Sequence, residues 1–325
     1  MKVCIYGAGA IGGWIGVKLA RAGCELDVVA RGATLEALRR DGLTLVSGDS
    51  RATVPVRASE EPAALGVQQL VVIAVKAPAL PAVAQRIAPL LGPDTVVLTA
   101  MNGVPWWFLQ GGFGGPLAGA RLESVDAAGR IDAAIAASHV IGGVVHASCS
   151  LDAPGVVRHH FGNGLIIGEP SGIATPRAQA LAGLLQRAGI DTRLSPQIQK
   201  DVWYKLWGNM TVNPISALTG VTTDLILDDE LVRAFISTIM LEAREIGARI
   251  GIPIAETPED RHAVTRKLGA FKTSMLQDVE AHRAVELDAL VSAVRELGQR
   301  AGVATPFTDA LLGLARLQAR HLGLY

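Results

Sequence analysis

Apolar positions follow two patterns along the chain. Up to about residue 195 they gather in short unbroken runs: "KVCIYG" from Lys2, "ELDVVAR" from Glu25, "QLVVIAVKA" from Gln69 and "DTVVLTAMNG" from Asp94. Runs with no polar face read as strands buried on both sides. Between them "AIGGWIGVKLARAG", "TLEALRRDG" and "PALPAVAQRIAPLLG" carry helical spacing, the first two closing on Gly23 and Gly42. Strand and helix in alternation predict a parallel sheet covered on both faces, an α/β Rossmann-type fold. "HVIGGVVHASCSL" and "GVVRHHFGNGLIIGE" read as strands joined by a "DAPG" turn, followed by the helix "TPRAQALAGLLQRAG" and a closing strand "IDTRLS".

From Pro196 the pattern changes. Residues 197–322 carry helical periodicity and no strong strand, so a domain boundary is expected at Ser195–Pro196, with a Rossmann-type domain over 1–195 and an all-helical domain over 196–325. "TSMLQDVEAHRAVELDALVSAVRELGQ", from Thr273, reads as one continuous helix, and the glycine-rich "LQGGFGGPLAG" as a surface loop.

Composition narrows the classes. The 325 residues carry 30 Lys plus Arg against 30 Asp plus Glu, which gives no electrostatic case for a nucleic-acid or anionic-membrane partner. Half the residues are hydrophobic, yet no apolar run is long enough to span a bilayer. "KVCIYGAG" opens the fold at once, so no signal peptide is expected. Cys4, Cys24 and Cys149 read as buried free thiols in a reducing cytoplasm, outside any His-containing constellation. No metal site is expected, and the partner is a small molecule.

The first chemical motif is "GAGAIG", in which Gly7, Gly9 and Gly12 flank Ala10 and Ile11. It follows a strand and opens a helix, as a dinucleotide-binding loop does. Gly7 allows the turn, Gly9 lets backbone approach a pyrophosphate, Gly12 lets helix pack on strand, and helix N–H groups hold the phosphates. The alternative is a glycine turn with no ligand. The second strand ends "VVAR" with Arg31 and no adjacent acid, Asp27 lying earlier. Arg31, with Lys76 at the end of "VVIAVK", suits the 2′-phosphate of NADP better than a bare ribose, unless both are solvated charges. Asn102, after "VVLTAM", lies where ligands bind beyond strand ends, or is a turn residue before Gly103.

The second motif is "YKLWGNMTVNPISALTG". Lys205, Asn209 and Asn213 recur every fourth residue, forming a polar stripe among core-like residues, and Pro214 is expected to bend the helix so that the stripe faces a cleft. An ammonium there can donate a proton to a carbonyl oxygen as hydride arrives, and the amides can orient a substrate. Glu286 is expected to share an apolar helical face with Val279, Leu290 and Val294, and needs a partner, for which Lys205 is the candidate. Ser274 and Gln277 open the same helix, where a carboxylate can bind, and Asp278 and Arg283 read as a surface pair.

Together "GAGAIG", "KLWGNMTVNPISALTG" and "TSMLQDVEAHRAVELD" make the chain similar to the ketopantoate reductase (2-dehydropantoate 2-reductase) family over nearly its whole length. The resemblance implies reduction of 2-dehydropantoate to (R)-pantoate with NADPH, in pantothenate and coenzyme A synthesis. It implies a helical domain of the 6-phosphogluconate dehydrogenase C-terminal-like type and allows a homodimer. By resemblance Lys205 and Glu286 are catalytic. Asn209, Asn213, Ser274 and Asn102 hold substrate. Gly7, Gly9, Ala10, Ile11, Gly12, Arg31, Lys76, Asn102 and Glu286 face the cofactor. Two positions that carry substrate-binding asparagines in some members are Phe271 and Thr223 here, and "VPWWFLQGGFGGPLAGARLESVDAAGR" is longer than in compact members, a stretch that could close over a cleft or serve a dimer contact. Two alternatives stay open: a paralogue reducing another 2-oxo acid, and a non-catalytic NADP-binding sensor.

Overall fold

The computed structural model describes all residues, Met1–Tyr325. The chain forms two compact units, each discontinuous in sequence: Met1–Met101 with Gly129–Asp201, and Asn102–Ala128 with Val202–Tyr325. The last changeover between the units comes between Asp201 and Val202, close to the expected break at Ser195–Pro196, and the second unit also takes in a segment from the middle of the first.

The first unit is built on β1 (Lys2–Tyr6), α1 (Ala10–Arg21), β2 (Glu25–Val29), α2 (Gly32–Asp41), β3 (Leu43–Ser47), β4 (Ser50–Val54) and β5 (Arg57–Ser59). It continues with β6 (Leu70–Ile73), α3 (Leu80–Arg86), β7 (Val96–Thr99), α4 (Arg130–Ala134), β8 (Val140–Ala153), β9 (Val156–Gly168), α5 (Pro176–Arg187) and β10 (Asp191–Leu194). One ten-stranded sheet runs in the order β4-β3-β9-β8-β7-β6-β1-β2-β5, with β10 beside β9. The strands β8-β7-β6-β1-β2-β5 are parallel, and Val3, Ile5, Leu70, Val72 and Leu98 are fully buried in them. That is the Rossmann arrangement the unbroken apolar runs call for. The sheet is mixed rather than wholly parallel, because β8 and β9 form a long antiparallel hairpin and β3 pairs antiparallel with β4. The sequence reading missed β3, β4 and β5: β4 is mostly exposed at the sheet edge and β5 has three residues, so neither carries an apolar run. Cys4 is buried, but Cys24 and Cys149 are only half-buried; all three are free, and burial pushes the Cys4 and Cys149 thiols up to about 12.

The second unit is helical: α6 (Ile198–Thr219), α7 (Thr223–Asp228), α8 (Glu230–Arg249), α9 (Pro258–Arg266), α10 (Ser274–Glu280), α11 (Ala293–Ala301) and α12 (Pro306–His321). Trp203, Trp207 and Met210 of α6 are buried with Ile236, Ile239, Met240 and Ile246 of α8, and the Trp207 indole donates to the Met240 carbonyl at 2.7 Å. No helix is long and apolar enough to cross a membrane.

One expectation about this unit is refined and one corrected. The stretch "LQGGFGGPLAG" is exposed along most of its length, as expected of a surface loop, but Leu109 and Phe113 and the residues just before it are buried. Trp106, Trp107, Phe108 and Leu109 are buried, Phe108 lies against Trp203 with ring centroids 6.0 Å apart, and Phe113 meets Phe108 edge-on at 5.5 Å. Its far end is fastened by the Glu296 carboxylate of α11, which accepts from the Glu123 and Ser124 amides, each at 2.9 Å. The glycines form the exposed loop, and the aromatic residues just before them anchor it in the helical unit. There is no single helix from Thr273. α10 ends at Glu280, His282 takes a left-handed φ of 50°, and helix resumes after Glu286 with a π-helical turn over Asp288–Ser292. Periodicity alone cannot register such a break, since the apolar residues on both sides stay in step.

Candidate active site

The strand-to-helix turn after β1 has the geometry its glycines require. Gly7 has a φ of 100°, open to glycine but strained for other residues. A Cβ on Gly12 would meet the Gly7 carbonyl oxygen, whereas a Cβ on Gly9 would meet nothing within 4 Å. Open space therefore stands before the first turn of α1, a turn with no side-chain cap and no acidic residue. Ala10, Ile11 and Gly12 present their backbone there. This is a cradle that any side chain on Gly9 would fill, and it fits a dinucleotide pyrophosphate.

Arg31 is exposed at the N-cap of α2, just past β2, and Lys76 caps a short 3-10 turn past β6. Asp27 is committed elsewhere. Its carboxylate accepts from Arg57 at 2.8 and 2.5 Å and from Gln68 at 2.8 Å, so it is unavailable to a ribose hydroxyl. Arg31 and Lys76 are the cations that follow the ends of β2 and β6.

The remaining residues belong to the second unit. α6 stays helical on both sides of Pro214. Lys205, Asn209 and Asn213 lie along it, two half-buried and Asn213 buried. The Lys205 ammonium donates to Asn102 Oδ1 at 2.9 Å. Asn102 is held by its own surroundings: Val104 N–H donates to the Ala289 carbonyl at 2.8 Å, and Gly103, at φ 85°, lies so close to Ala289 that a Cβ would stand 2.7 Å from it. Sequence reading had left Asn102 between turn and site; in the structure its side chain is the hydrogen-bond partner of Lys205.

Glu286 is buried, at 4% exposure, and its charge acts on Lys205. It does so from the end of an irregular stretch rather than from a helical face shared with Val279. Burial of the ammonium pushes the Lys205 pKa from 10.5 down to about 8, with the Glu286 charge pulling the other way. The result is a cation that releases its proton near neutrality, the property a general acid needs.

Ser274 is half-buried at the first position of α10, whose N-cap is Thr273; that threonine accepts from the Leu276 amide at 3.2 Å. The capping threonine was visible in "TSMLQ" but was not singled out. Asn209, Asn213 and Ser274 form no side-chain hydrogen bond within the protein, which leaves their polar groups for a ligand. Gln277 is exposed and donates to the Lys272 carbonyl. Asp278 is not a surface residue: it is buried, and pairs with exposed Arg283 at 3.0 Å. Thr223 is also buried; its hydroxyl donates to the Gly269 carbonyl at 2.7 Å and its amide to the Phe271 carbonyl at 3.0 Å.

The structure thus brings Asn102, Lys205 and Glu286 together from three separate segments, sets Asn209 and Asn213 on the helix that carries Lys205, and gives the glycine loop, Arg31 and Lys76 to the other unit.

The family model for "Ketopantoate reductase PanE/ApbA" matches residues 3–109, and that for "Ketopantoate reductase PanE/ApbA C terminal" matches residues 197–319. A 2-dehydropantoate 2-reductase of Mesorhizobium japonicum is 46% identical over the full length of both chains. A crystal structure from Ralstonia solanacearum MolK2 is 55% identical, with a TM-score of 0.96 over 100% of this chain and 99% of that one. The 2-dehydropantoate 2-reductase of Geobacter metallireducens GS-15 is 27% identical, with a TM-score of 0.85 over 98% of this chain and 100% of its own. With both halves matched and a full-length relative at this identity, the chain belongs to the ketopantoate reductase family.

Proposed function

We propose that the chain reduces 2-dehydropantoate to (R)-pantoate with NADPH, a step that feeds pantothenate and coenzyme A synthesis. The observation that carries this reading is the buried ammonium of Lys205, bonded to Asn102 at 2.9 Å, facing the charge of Glu286 and titrating near 8. A bound reduced nicotinamide supplies a hydride. The residues present fit such a cofactor: the Gly7–Gly12 loop leaves room for a pyrophosphate, and Arg31 and Lys76 offer cations for a 2′-phosphate. NADP in preference to NAD rests on those two cations.

Attack at C2 of a 2-oxo acid builds negative charge on the carbonyl oxygen. Lys205 stabilises that charge and transfers its proton to the oxygen. Asn102 fixes the direction of the ammonium, and Glu286 keeps it protonated more of the time than burial alone would allow. The amides of Asn209 and Asn213 and the Ser274 hydroxyl are free to bind the substrate's carboxylate and hydroxyl groups. A cytoplasmic location and a homodimer complete the reading.

A second reading is reduction of a different 2-oxo acid by the same residues. One observation favours it: neither Thr223 nor Phe271 carries a side-chain amide, and the Thr223 hydroxyl is spent on the Gly269 carbonyl at 2.7 Å. One assay tests both. NADPH oxidation is followed with a panel of 2-oxo acids at equal concentration. Highest kcat/KM with ketopantoate supports the first reading, and highest kcat/KM with another acid supports the second.

A further inference from the structure

We infer that Tyr325, together with the Leu324 carbonyl, is a positioning element for Glu286. On the α10 side the segment bearing Glu286 is tied back through Arg283, whose amide donates to the Asp278 carbonyl at 2.8 Å and whose guanidinium pairs with the Asp278 carboxylate at 3.0 Å, three residues short of Glu286. Residues 281–284 are all exposed, and the chain reverses through His282 at positive φ. On the other side two bonds bracket Glu286, and both come from the residues after α12. Val285 N–H donates to the Leu324 carbonyl at 3.1 Å, and the Tyr325 hydroxyl donates to Asp288 Oδ1 at 2.7 Å. The first bond lies one residue before Glu286 and the second two residues after it.

The bracket is itself well anchored. Gly323, at φ 70°, turns the chain back at the end of α12, and Leu324 N–H returns to the Ala319 carbonyl at 2.7 Å. The Leu324 side chain is buried, and the Arg320 guanidinium lies over the Tyr325 ring, 5.4 Å from its centroid. Asp288 Oδ1 also accepts from Ser292 at 2.9 Å, which ties the bracket to the π-helical turn. Within that turn, the Glu286 carbonyl accepts from the Leu290 amide at 3.1 Å. A segment held at both flanks keeps its carboxylate in one place; one released on a flank lets it wander. The group that registers the difference is Lys205, because Glu286 is the charge that opposes its loss of the proton. The charged groups around the bracket itself are Asp288, Arg316 and Arg320.

The inference rests on the reductase reading, with Lys205 as general acid. Tyr325→Phe removes only the hydroxyl. It should lower kcat with ketopantoate roughly three- to tenfold, the effect of one hydrogen bond. It should also move the alkaline limb of kcat to lower pH and leave the NADPH Kd near wild type, with a fall in Tm no larger than the loss of one hydrogen bond gives. Asp288→Ala combined with Tyr325→Phe should be no worse than Asp288→Ala alone, since both substitutions remove the same Tyr325–Asp288 bond. A Tyr325→Phe enzyme with wild-type kcat and an unmoved alkaline limb overturns the inference, as does a double variant whose losses simply multiply. Lys205→Ala separates the two levels: if it turns over like wild type, the reductase reading fails and this inference with it. If Lys205→Ala is crippled and Tyr325→Phe is unaffected, the positioning role alone fails.

Discussion

A Cβ on Gly12 would stand 2.1 Å from the carbonyl oxygen of Gly7. The loop and the first turn of α1 therefore touch where no side chain fits. Gly12→Ala should lower the Tm, since the clash is with backbone and overpacking of this kind costs about 1–3 kcal/mol. Gly9→Ala should behave in the opposite way, because nothing lies within 4 Å of its Cβ. It should keep the Tm and weaken NADPH binding. Calorimetry and a fluorescence titration separate the two effects; normal NADPH affinity in Gly9→Ala would mean that the open space is not the phosphate site.

Lys205→Ala should lose roughly 10²–10⁴-fold in kcat, the range for a missing general acid. The wild-type profile should fall on the alkaline side as Lys205 loses its proton near pH 8. Stability runs the other way. The unfolded chain holds this proton to about 10.5 and the folded chain only to about 8, so between those values the unfolded state binds more protons and raising the pH favours folding. A kcat that stays flat through pH 9 would remove Lys205 from the chemistry.

Glu286→Gln removes the charge that raises the Lys205 pKa while keeping the side chain's shape. Its alkaline limb should shift to lower pH. Glu286→Ala should in addition weaken substrate capture, because a carboxylate that can accept from a substrate hydroxyl is gone. Wild-type kcat/KM and an unmoved limb in both variants would make Glu286 a packing residue.

Arg31→Ala should raise the KM for NADPH and leave that for NADH nearly unchanged. A charge-assisted contact to phosphate contributes roughly 1.5–3 kcal/mol, enough for a tens-fold change in preference. Equal efficiency of wild type with both cofactors would count against a 2′-phosphate at Arg31.

Phe108→Ala tests whether the 102–128 segment belongs to the helical core. Phe108 is fully buried against Trp203 and Phe113. Truncation should cost about 3–5 kcal/mol, measured by denaturant titration. A loss under 1 kcal/mol would mean that Phe108 does not anchor the segment.

What the sequence disclosed depended on how local the signal was. The glycine loop, the cation after β2 and the Lys205 stripe are each set by neighbours a few residues apart, so spacing was enough. Asn102 was ambiguous because its decisive contact is to Lys205, more than a hundred residues on, and no local pattern records such a pairing. Glu286 was paired with the right lysine for a partly wrong reason. Its need for a partner follows from burial, but its place on a continuous helix did not survive the positive φ at His282. The sheet's polar edge strands and the burial of Trp106–Leu109 are also decided by tertiary packing, which overrides composition.

The path of the chain through its two units constrains how the helical one can come into being. Its core needs Trp107 and Phe108, its lysine needs Asn102, and these lie on the far side of some seventy residues that belong to the other unit. On the ribosome those aromatic side chains emerge well before Trp203, the partner that covers Phe108, and they stay uncovered while β8, β9 and β10 are made. No single cut can free the helical unit: a fragment starting at Val202 would lack both the aromatic plug and the amide that orients the ammonium, and would be expected to aggregate rather than bind substrate.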